Sequence, residues 1–187
     1  MAFGYLDGNQ KQFKNDKISS VYVDGKCFFS IKAFPGQAYN NRIYMFYHGS
    51  HADPNGWGFG IGCYAGATQE DINNIIGAEY VGGKWKEIDS GEPFKPRHHF
   101  KVISFAGKNW HAVAVAFDQL YYAEAERRSR FFNFCLFEND GPQILCGQTQ
   151  VRGVTQPESA SKQPEIISVL KTIEFVDPPV SEVDQVP

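Results

Sequence analysis

The sequence has neither a long hydrophobic run nor a concentration of charge of one sign. None of its apolar runs reaches about 18 residues, the length that spans a bilayer, so we expect no membrane-spanning segment. The 18 basic and 21 acidic residues give a net charge of −3, and the basic residues are dispersed except at Arg127, Arg128 and Arg130. Proteins that bind nucleic acid need a basic surface, so we expect no nucleic-acid partner.

Familiar catalytic and metal-binding motifs are also lacking. The sequence contains no CxxC pair or Cys/His spacing of the kind that holds zinc, and no HExxH motif. Gly49-Ser50 lacks the G-x-S-x-G frame of a hydrolase. We therefore predict no catalytic residue, no resident metal and no cofactor.

The composition is rich in apolar and aromatic residues. They make up 42% and 15% of the 187 residues, including 16 Phe and 9 Tyr. Apolar surface on this scale has to be buried, which excludes disorder for most of the chain, and Phe and Tyr favour strands. A chain of this length can form one substantial core. We predict one domain over residues 1–177, with a loose arm at 1–17 and a disordered acidic tail at 178–187.

A β-hairpin is the clearest feature of the sequence. Two apolar runs, Phe131 to Phe137 and Gln143 to Gly147, are separated by a cluster of Asn, Asp, Gly and Pro residues that favours a turn. If residues 139–142 form the loop, counting outward places Cys135 directly opposite Cys146. Opposed residues of antiparallel strands have Cβ atoms about 4.5–5.5 Å apart, which is close enough for a disulfide.

The four cysteines bear on the compartment. We predict a disulfide between Cys135 and Cys146, and we expect Cys27 and Cys63 to be bonded or close together. Four buried free thiols are the alternative. Because disulfides persist in oxidising compartments, we expect an exported protein whose export signal has been removed. The first eight residues show no signal peptide, and a cytoplasmic location is the alternative.

Local patterns along the chain predict eight or nine strands and two short helices. An Asp-Gly turn at 24–25 indicates a hairpin. One helix is predicted to begin after Thr68 as N-cap and to end at Gly77, and a second covers 164–171. Residues 78–99 are expected to hold one weak strand. Together these elements predict an α+β fold built on a large, mainly antiparallel sheet of hairpins.

The run Gly56 to Cys63 alternates glycine with large residues. In a strand, glycines would occupy one face and the other would carry Trp57, Phe59, Ile61 and Cys63. A bare strand face usually marks close approach by another element. We predict that a helix of this chain covers the glycine face, and the alternative is a partner segment or a ligand.

Four segments carry a resemblance to known proteins: Asn109-Trp110-His111, the run Arg130 to Leu136, Leu145-Cys146-Gly147, and the helix and strand over Ile166 to Phe175. Over residues 100–177 the chain resembles small exported proteins of Gram-negative bacteria that are encoded beside type VI secretion toxins. Its ending is also similar to that of Mog1/PsbP-like domains and of phospholipase-effector immunity proteins. The resemblance implies a Mog1/PsbP-like fold and a periplasmic immunity protein that neutralises a cognate toxin, such as a lipase or a cell-wall hydrolase.

Two loops are the candidates for toxin binding, because binding energy concentrates in aromatic and charged side chains that a partner can cover. One follows a short predicted strand and the other joins two predicted strands. The candidate residues are His48, His51, Asp53, Asn55, Trp57, Tyr121, Tyr122, Glu124, Glu126, Arg127 and Arg128.

Two further functions remain as alternatives. A metal-dependent hydrolase would assemble its site from the loop histidines His48, His51, His98 and His99, since imidazole is the commonest metal ligand. A periplasmic carrier or chaperone would use the glycine-faced strand as an apolar groove.

Overall fold

The computed structural model describes residues 19–24, 26–32, 37–40, 43–49, 56–88, 98–119 and 124–177. The predicted arm at 1–17 and the predicted tail at 178–187 lie outside these ranges. Within them are twelve strands: β1 (Ser19–Asp24), β2 (Cys27–Lys32), β3 (Gln37–Asn40), β4 (Ile43–His48), β5 (Trp57–Cys63), β6 (Ala78–Val81), β7 (Lys84–Glu87), β8 (His98–Ala106), β9 (Trp110–Gln119), β10 (Ser129–Glu138), β11 (Ile144–Gly153) and β12 (Glu174–Phe175). The helices are α1 (Gln69–Ile76) and α2 (Gln163–Leu170), with short 3-10 turns at Ala125–Arg127 and Glu158–Ala160.

The strands form three antiparallel sheets. Seven strands make the largest sheet, in the order β3-β4-β5-β11-β10-β9-β8. A second sheet has the order β1-β2-β12, and β6 and β7 form a separate hairpin. The predicted α+β class with a large antiparallel sheet is confirmed. The number of strands is higher than the eight or nine expected.

One face of the seven-stranded sheet packs against the three-stranded sheet and α2. Because residues alternate along a strand, Ala112, Ala114 and Ala116 of β9 point to this face. The buried residues packed there include Phe29 of β2 and Ile166 of α2. The small side chains of β9 leave room for the large aromatic side chains of neighbouring strands.

The opposite face packs against α1 and the β6–β7 hairpin. Val113 and Val115 of β9 point to this face and form a buried cluster with Ile72 and Ile76 of α1. Trp85 of β7 packs at its edge. The large sheet is therefore covered on both sides, which explains why β9 and β10 consist of nearly continuous apolar residues.

The predicted central hairpin is confirmed as β10 and β11. Cys135 pairs directly with Cys146, and the two form a disulfide with a Cα–Cα distance of 4.1 Å. Both residues are buried. The register follows from the turn, since the Glu138 amide donates to the carbonyl of Gln143 and closes the loop.

A second disulfide joins the two larger sheets. Cys27 of β2 is bonded to Cys63 of β5, 36 positions away in sequence, with a Cα–Cα distance of 5.6 Å. This confirms that the remaining two cysteines lie together. The bond links the three-stranded sheet to β5, the third strand of the seven-stranded sheet.

Helix α1 has the predicted ends. The Thr68 hydroxyl accepts a hydrogen bond from the Asp71 amide and the Asp71 carboxylate accepts one from the Thr68 amide, which together form a capping box. Gly77 ends the helix in the left-handed conformation, with φ of 80°. No helix among the described residues is long and apolar enough to cross a membrane.

Side chains of the β8–β9 turn hold the short strand β12. The Asn109 amide donates to the carbonyl of Phe175 at 2.8 Å and accepts from its amide at 3.2 Å. The buried Trp110 indole donates to the carbonyl of Ile173 at 2.8 Å. Asn109 and Trp110, which belong to the segments that carried the resemblance, therefore have a structural role: they fix the C-terminal strand to the sheet.

Two local predictions need correction. The first hairpin forms, but Asp24 pairs with Cys27, which leaves residues 25 and 26 between the strands instead of 24 and 25. Residues 78–99 hold two full strands and the start of β8 instead of one weak strand. In β7, exposed Lys84 and Lys86 alternate with half-buried Trp85 and Glu87, and in β6 Tyr80 and Val81 are exposed while Ala78 is buried. The apolar signal of both strands is therefore weak although the pairing is regular.

The prediction that a helix covers the glycine face of β5 is wrong at Gly58 and Gly60. A Cβ atom at Gly58 would come within 2.6 Å of the Tyr47 ring, and one at Gly60 within 2.9 Å of the Met45 sulfur. Side chains of the neighbouring strand β4 therefore fill the space over these glycines, while α1 contacts β9, β10 and β11. The same filling leaves little room for the apolar groove that a carrier would need at Gly58 and Gly60.

Candidate functional site

Both candidate binding loops leave the same end of the seven-stranded sheet. Because neighbouring strands are antiparallel, β4, β11 and β9 finish where β5, β10 and β8 begin. We call this the β4–β9 end. The β4–β5 connection and the β9–β10 connection both start there. Only β11 lies between β5 and β10, a separation of about 10 Å at the usual strand spacing.

An aromatic stack supports the first loop. His48, the last residue of β4, pairs with Trp57, the first residue of β5, and their rings stack with centroids 5.5 Å apart. Trp57 in turn stacks on buried Phe59 at 6.4 Å. His48 is exposed and Trp57 is half-buried, so these rings connect the hydrophobic core to the surface at the β4–β9 end.

The second loop presents charges of both signs. Glu124, Glu126 and Arg127 are exposed on and beside the 3-10 turn, and Arg128 is half-buried. The carbonyl of Arg128 accepts a hydrogen bond from the amide of Val154, which fixes the turn to the segment after β11. The other candidates lie outside the described residues; these are His51, Asp53, Asn55, Tyr121 and Tyr122.

A three-residue cluster that the sequence reasoning missed also lies at the β4–β9 end. Asp118 of β9 is buried, and its Oδ1 accepts a hydrogen bond from Nη1 of Arg130 at 2.8 Å. Its Oδ2 lies 2.6 Å from Nδ1 of His99. Arg130 also contacts the carbonyl of His99 at 3.4 Å. The imidazole of His99 is 79% exposed although its partner is buried.

The charges of the cluster favour an ionised Asp118. Burial alone would raise the pKa of this carboxyl, but the hydrogen bonds from Arg130 and His99 and the positive charge of Arg130 outweigh it, so the pKa is lowered. An ionised carboxylate can only accept, so Nδ1 of His99 carries the proton that lies between them. In the neutral imidazole, Nε2 is then an unprotonated acceptor.

The backbone of His99 is adapted to this position. Among the described residues, His99 is the only non-glycine residue with a positive φ, which is 52°. This conformation costs about 1–3 kcal/mol. The pairing of β8 with β9 shifts register between His98 and Lys101, and such bulges redirect side chains. The bulge and the unusual φ together bring His99 to the carboxylate of Asp118.

The described histidines of the hydrolase hypothesis do not meet in one place. His48 lies on β4 and His98 and His99 lie on β8, with four strands between them. At the usual spacing this separates them by about 24 Å, too far to share one metal ion. Among the described residues, no three His, Cys, Asp or Glu side chains are grouped so that they could hold a metal. His51 lies outside the described residues.

Comparison with known proteins gives no family. No family model matches the chain, and no curated protein is significantly similar to it.

Proposed function

We propose that the chain is an immunity protein that binds a cognate secreted antibacterial toxin, a type VI secretion effector such as a lipase or cell-wall hydrolase, and occludes its active site. The observation that supports this most is the convergence of the two candidate loops on the β4–β9 end. Residues 48 and 124 are far apart in sequence, yet β5 and β10, the nearest strands of their two connections, lie about 10 Å apart by strand count. A single partner can therefore contact both.

The chemistry of the β4–β9 end suits a protein partner. Trp57 is anchored by stacking on Phe59, so covering it costs little side-chain entropy while it adds aromatic contact area. Exposed Glu124, Glu126 and Arg127 at the same end of the sheet provide charges that would select a partner by complementarity.

The two disulfides are compatible with an oxidising compartment. The proposal places the protein in the periplasm, where it would meet a toxin delivered by a neighbouring cell. There the Cys27–Cys63 and Cys135–Cys146 bonds would form and persist.

Co-expression with candidate toxins tests the proposal. Each secreted protein encoded beside the gene is directed to the periplasm of a sensitive cell, with and without this chain. We expect survival and a stoichiometric complex with one of them. A fourfold variant removes exposed side chains of both loops: His48→Ala, Glu124→Ala, Glu126→Ala and Arg127→Ala. It should abolish protection.

His111→Ala is the matched control. His111 is exposed at the start of β9, the opposite end of the same sheet, and its loss should leave protection unchanged. Protection by the fourfold variant equal to that of the wild type would exclude the β4–β9 end as the binding surface. Absence of protection and of a complex with every candidate toxin would refute the immunity function itself.

A further inference from the structure

His99 is held as a base would be held in an active site. Its Nδ1 is bound at 2.6 Å by a carboxylate that is 3% exposed, while the ring itself faces solvent. The carboxylate is in turn held by Arg130 at 2.8 Å. A buried acceptor on one ring nitrogen fixes the tautomer and the orientation of the ring, so the other nitrogen has a defined direction and a free electron pair.

Another exposed histidine shows what is particular to His99. His111 also has its Nδ1 in a hydrogen bond, but the partner is the neutral amide oxygen of Asn139 at 3.0 Å, and both residues are exposed. His111 lies in regular strand without positive φ. The bulge, the left-handed backbone and the buried ion pair therefore accompany one histidine and not the other.

We propose that His99 and Asp118 form a general-base dyad that hydrolyses carboxylic esters, with His99 as the catalytic residue and Asp118 and Arg130 as positioning residues. We choose carboxylic esters as the substrate class because an imidazole base can activate water for attack on an ester carbonyl without a metal or a second catalytic group. Phosphate esters, in contrast, are among the slowest compounds to hydrolyse. This activity is separate from toxin binding and does not depend on it.

The step is simple. Nε2 of His99 takes a proton from a water molecule as the water oxygen bonds to the ester carbonyl carbon. The resulting tetrahedral intermediate collapses, the bond from that carbon to the alcohol oxygen breaks, and the alcohol leaves as its anion when it is acidic. His99 then returns its proton to solvent. The Asp118 carboxylate stabilises the imidazolium that forms in between and does not itself take the proton.

Hydrolysis of p-nitrophenyl acetate by the full-length oxidised protein tests the proposal, with release of p-nitrophenolate as the readout. We expect His99→Gln to lower the rate about 100-fold, the lower range for loss of a general base. His98→Gln and His111→Gln are the controls and should keep the wild-type rate. His99 is exposed, so its replacement should leave the fold intact, which circular dichroism can verify.

The separate kinetic constants test Asp118. In Asp118→Asn the carboxylate that fixes the Nδ1 proton of His99 and stabilises the imidazolium during the reaction is lost, so kcat should fall while KM is kept, a split that a purely structural role would not produce. If this variant fails to fold, His99→Gln decides alone. A wild-type rate no higher than that of His99→Gln, or an equal loss in His111→Gln, would overturn the dyad. Neither result would bear on toxin binding.

Discussion

Loss of the Cys27–Cys63 disulfide is predicted to destabilise the protein more than loss of Cys135–Cys146. The first bond joins two sheets across 36 positions of sequence, and the second joins two adjacent strands across 11. A disulfide stabilises mainly by restricting the unfolded chain, and the restriction grows with the loop that it closes. The perturbations are the double variants Cys27→Ala with Cys63→Ala, and Cys135→Ala with Cys146→Ala.

The expected magnitudes follow from the loop lengths. In the chain-entropy model, closure over 36 positions contributes about 4 kcal/mol and closure over 11 about 3 kcal/mol. Each double variant also removes two sulfur atoms from largely buried sites, so this part of the cost is similar in the two. The β10–β11 ladder keeps its strands paired without the bond, whereas the three-stranded sheet loses its covalent link to the larger one.

Urea unfolding under oxidising conditions, followed by tryptophan fluorescence and circular dichroism, measures both losses. We expect the midpoint to fall in both double variants, and further in the one that lacks Cys27 and Cys63. A smaller loss for that variant than for the variant that lacks Cys135 and Cys146 would refute the loop-length reasoning. Four reactive thiols in denatured, unreduced protein would show that neither bond forms.

Three further predictions concern single positions. Asp118→Asn should lower the free energy of unfolding at pH 7 by about 3–5 kcal/mol, because it leaves the Arg130 guanidinium buried without its counter-charge. The pKa of Asp118 is lowered from 3.8 in the folded state, so the stability that its carboxylate provides is present above that value and is lost as pH falls. The free energies of unfolding at pH 7 and at pH 3 should therefore differ less in the variant than in the wild type. Trp110→Phe should cost about 1–3 kcal/mol by leaving the buried carbonyl of Ile173 without its donor, and hydrogen exchange should then be faster at β12. Gly60→Val should cost about 1–3 kcal/mol by crowding the side chains of β4, as a lower melting temperature would show; an unchanged melting temperature would contradict the close packing.

Features set by local chemistry could be predicted from the sequence. The turn after β10 determined the register that places Cys135 opposite Cys146, and the capping residues of α1 determined its ends. In both cases the decisive contacts span a few residues. The class of the fold followed from the number of such hairpins.

Features set by contacts between distant segments could not be predicted. His99, Asp118 and Arg130 lie on three strands and meet only because a bulge in β8 and an unusual φ redirect His99. Nothing in the spacing of these residues indicates that contact. Likewise, the alternation in β5 showed that its glycine face is closely approached, but not that the approaching side chains belong to the adjacent strand β4.

The candidate binding residues fall between these cases. Composition and loop position selected the loop from His48 to Asn55 with Trp57, and the segment from Tyr121 to Arg128, but the sequence offered no reason to place the two together. The order of the antiparallel strands brings the two segments together, because both connections leave the sheet at the β4–β9 end. What the loops bind stays a prediction.

The affinity of the purified chain for each secreted protein encoded beside its gene tests the central claim most directly. Titration calorimetry should give a one-to-one complex with one of them, with a dissociation constant in the nanomolar range typical of tight protein complexes. The fourfold variant of the β4–β9 end should weaken this affinity at least about 100-fold, which corresponds to the loss of two or more strong contacts, while His111→Ala should not change it. An affinity that the fourfold variant leaves unchanged, or no binding to any of these proteins, would contradict the account.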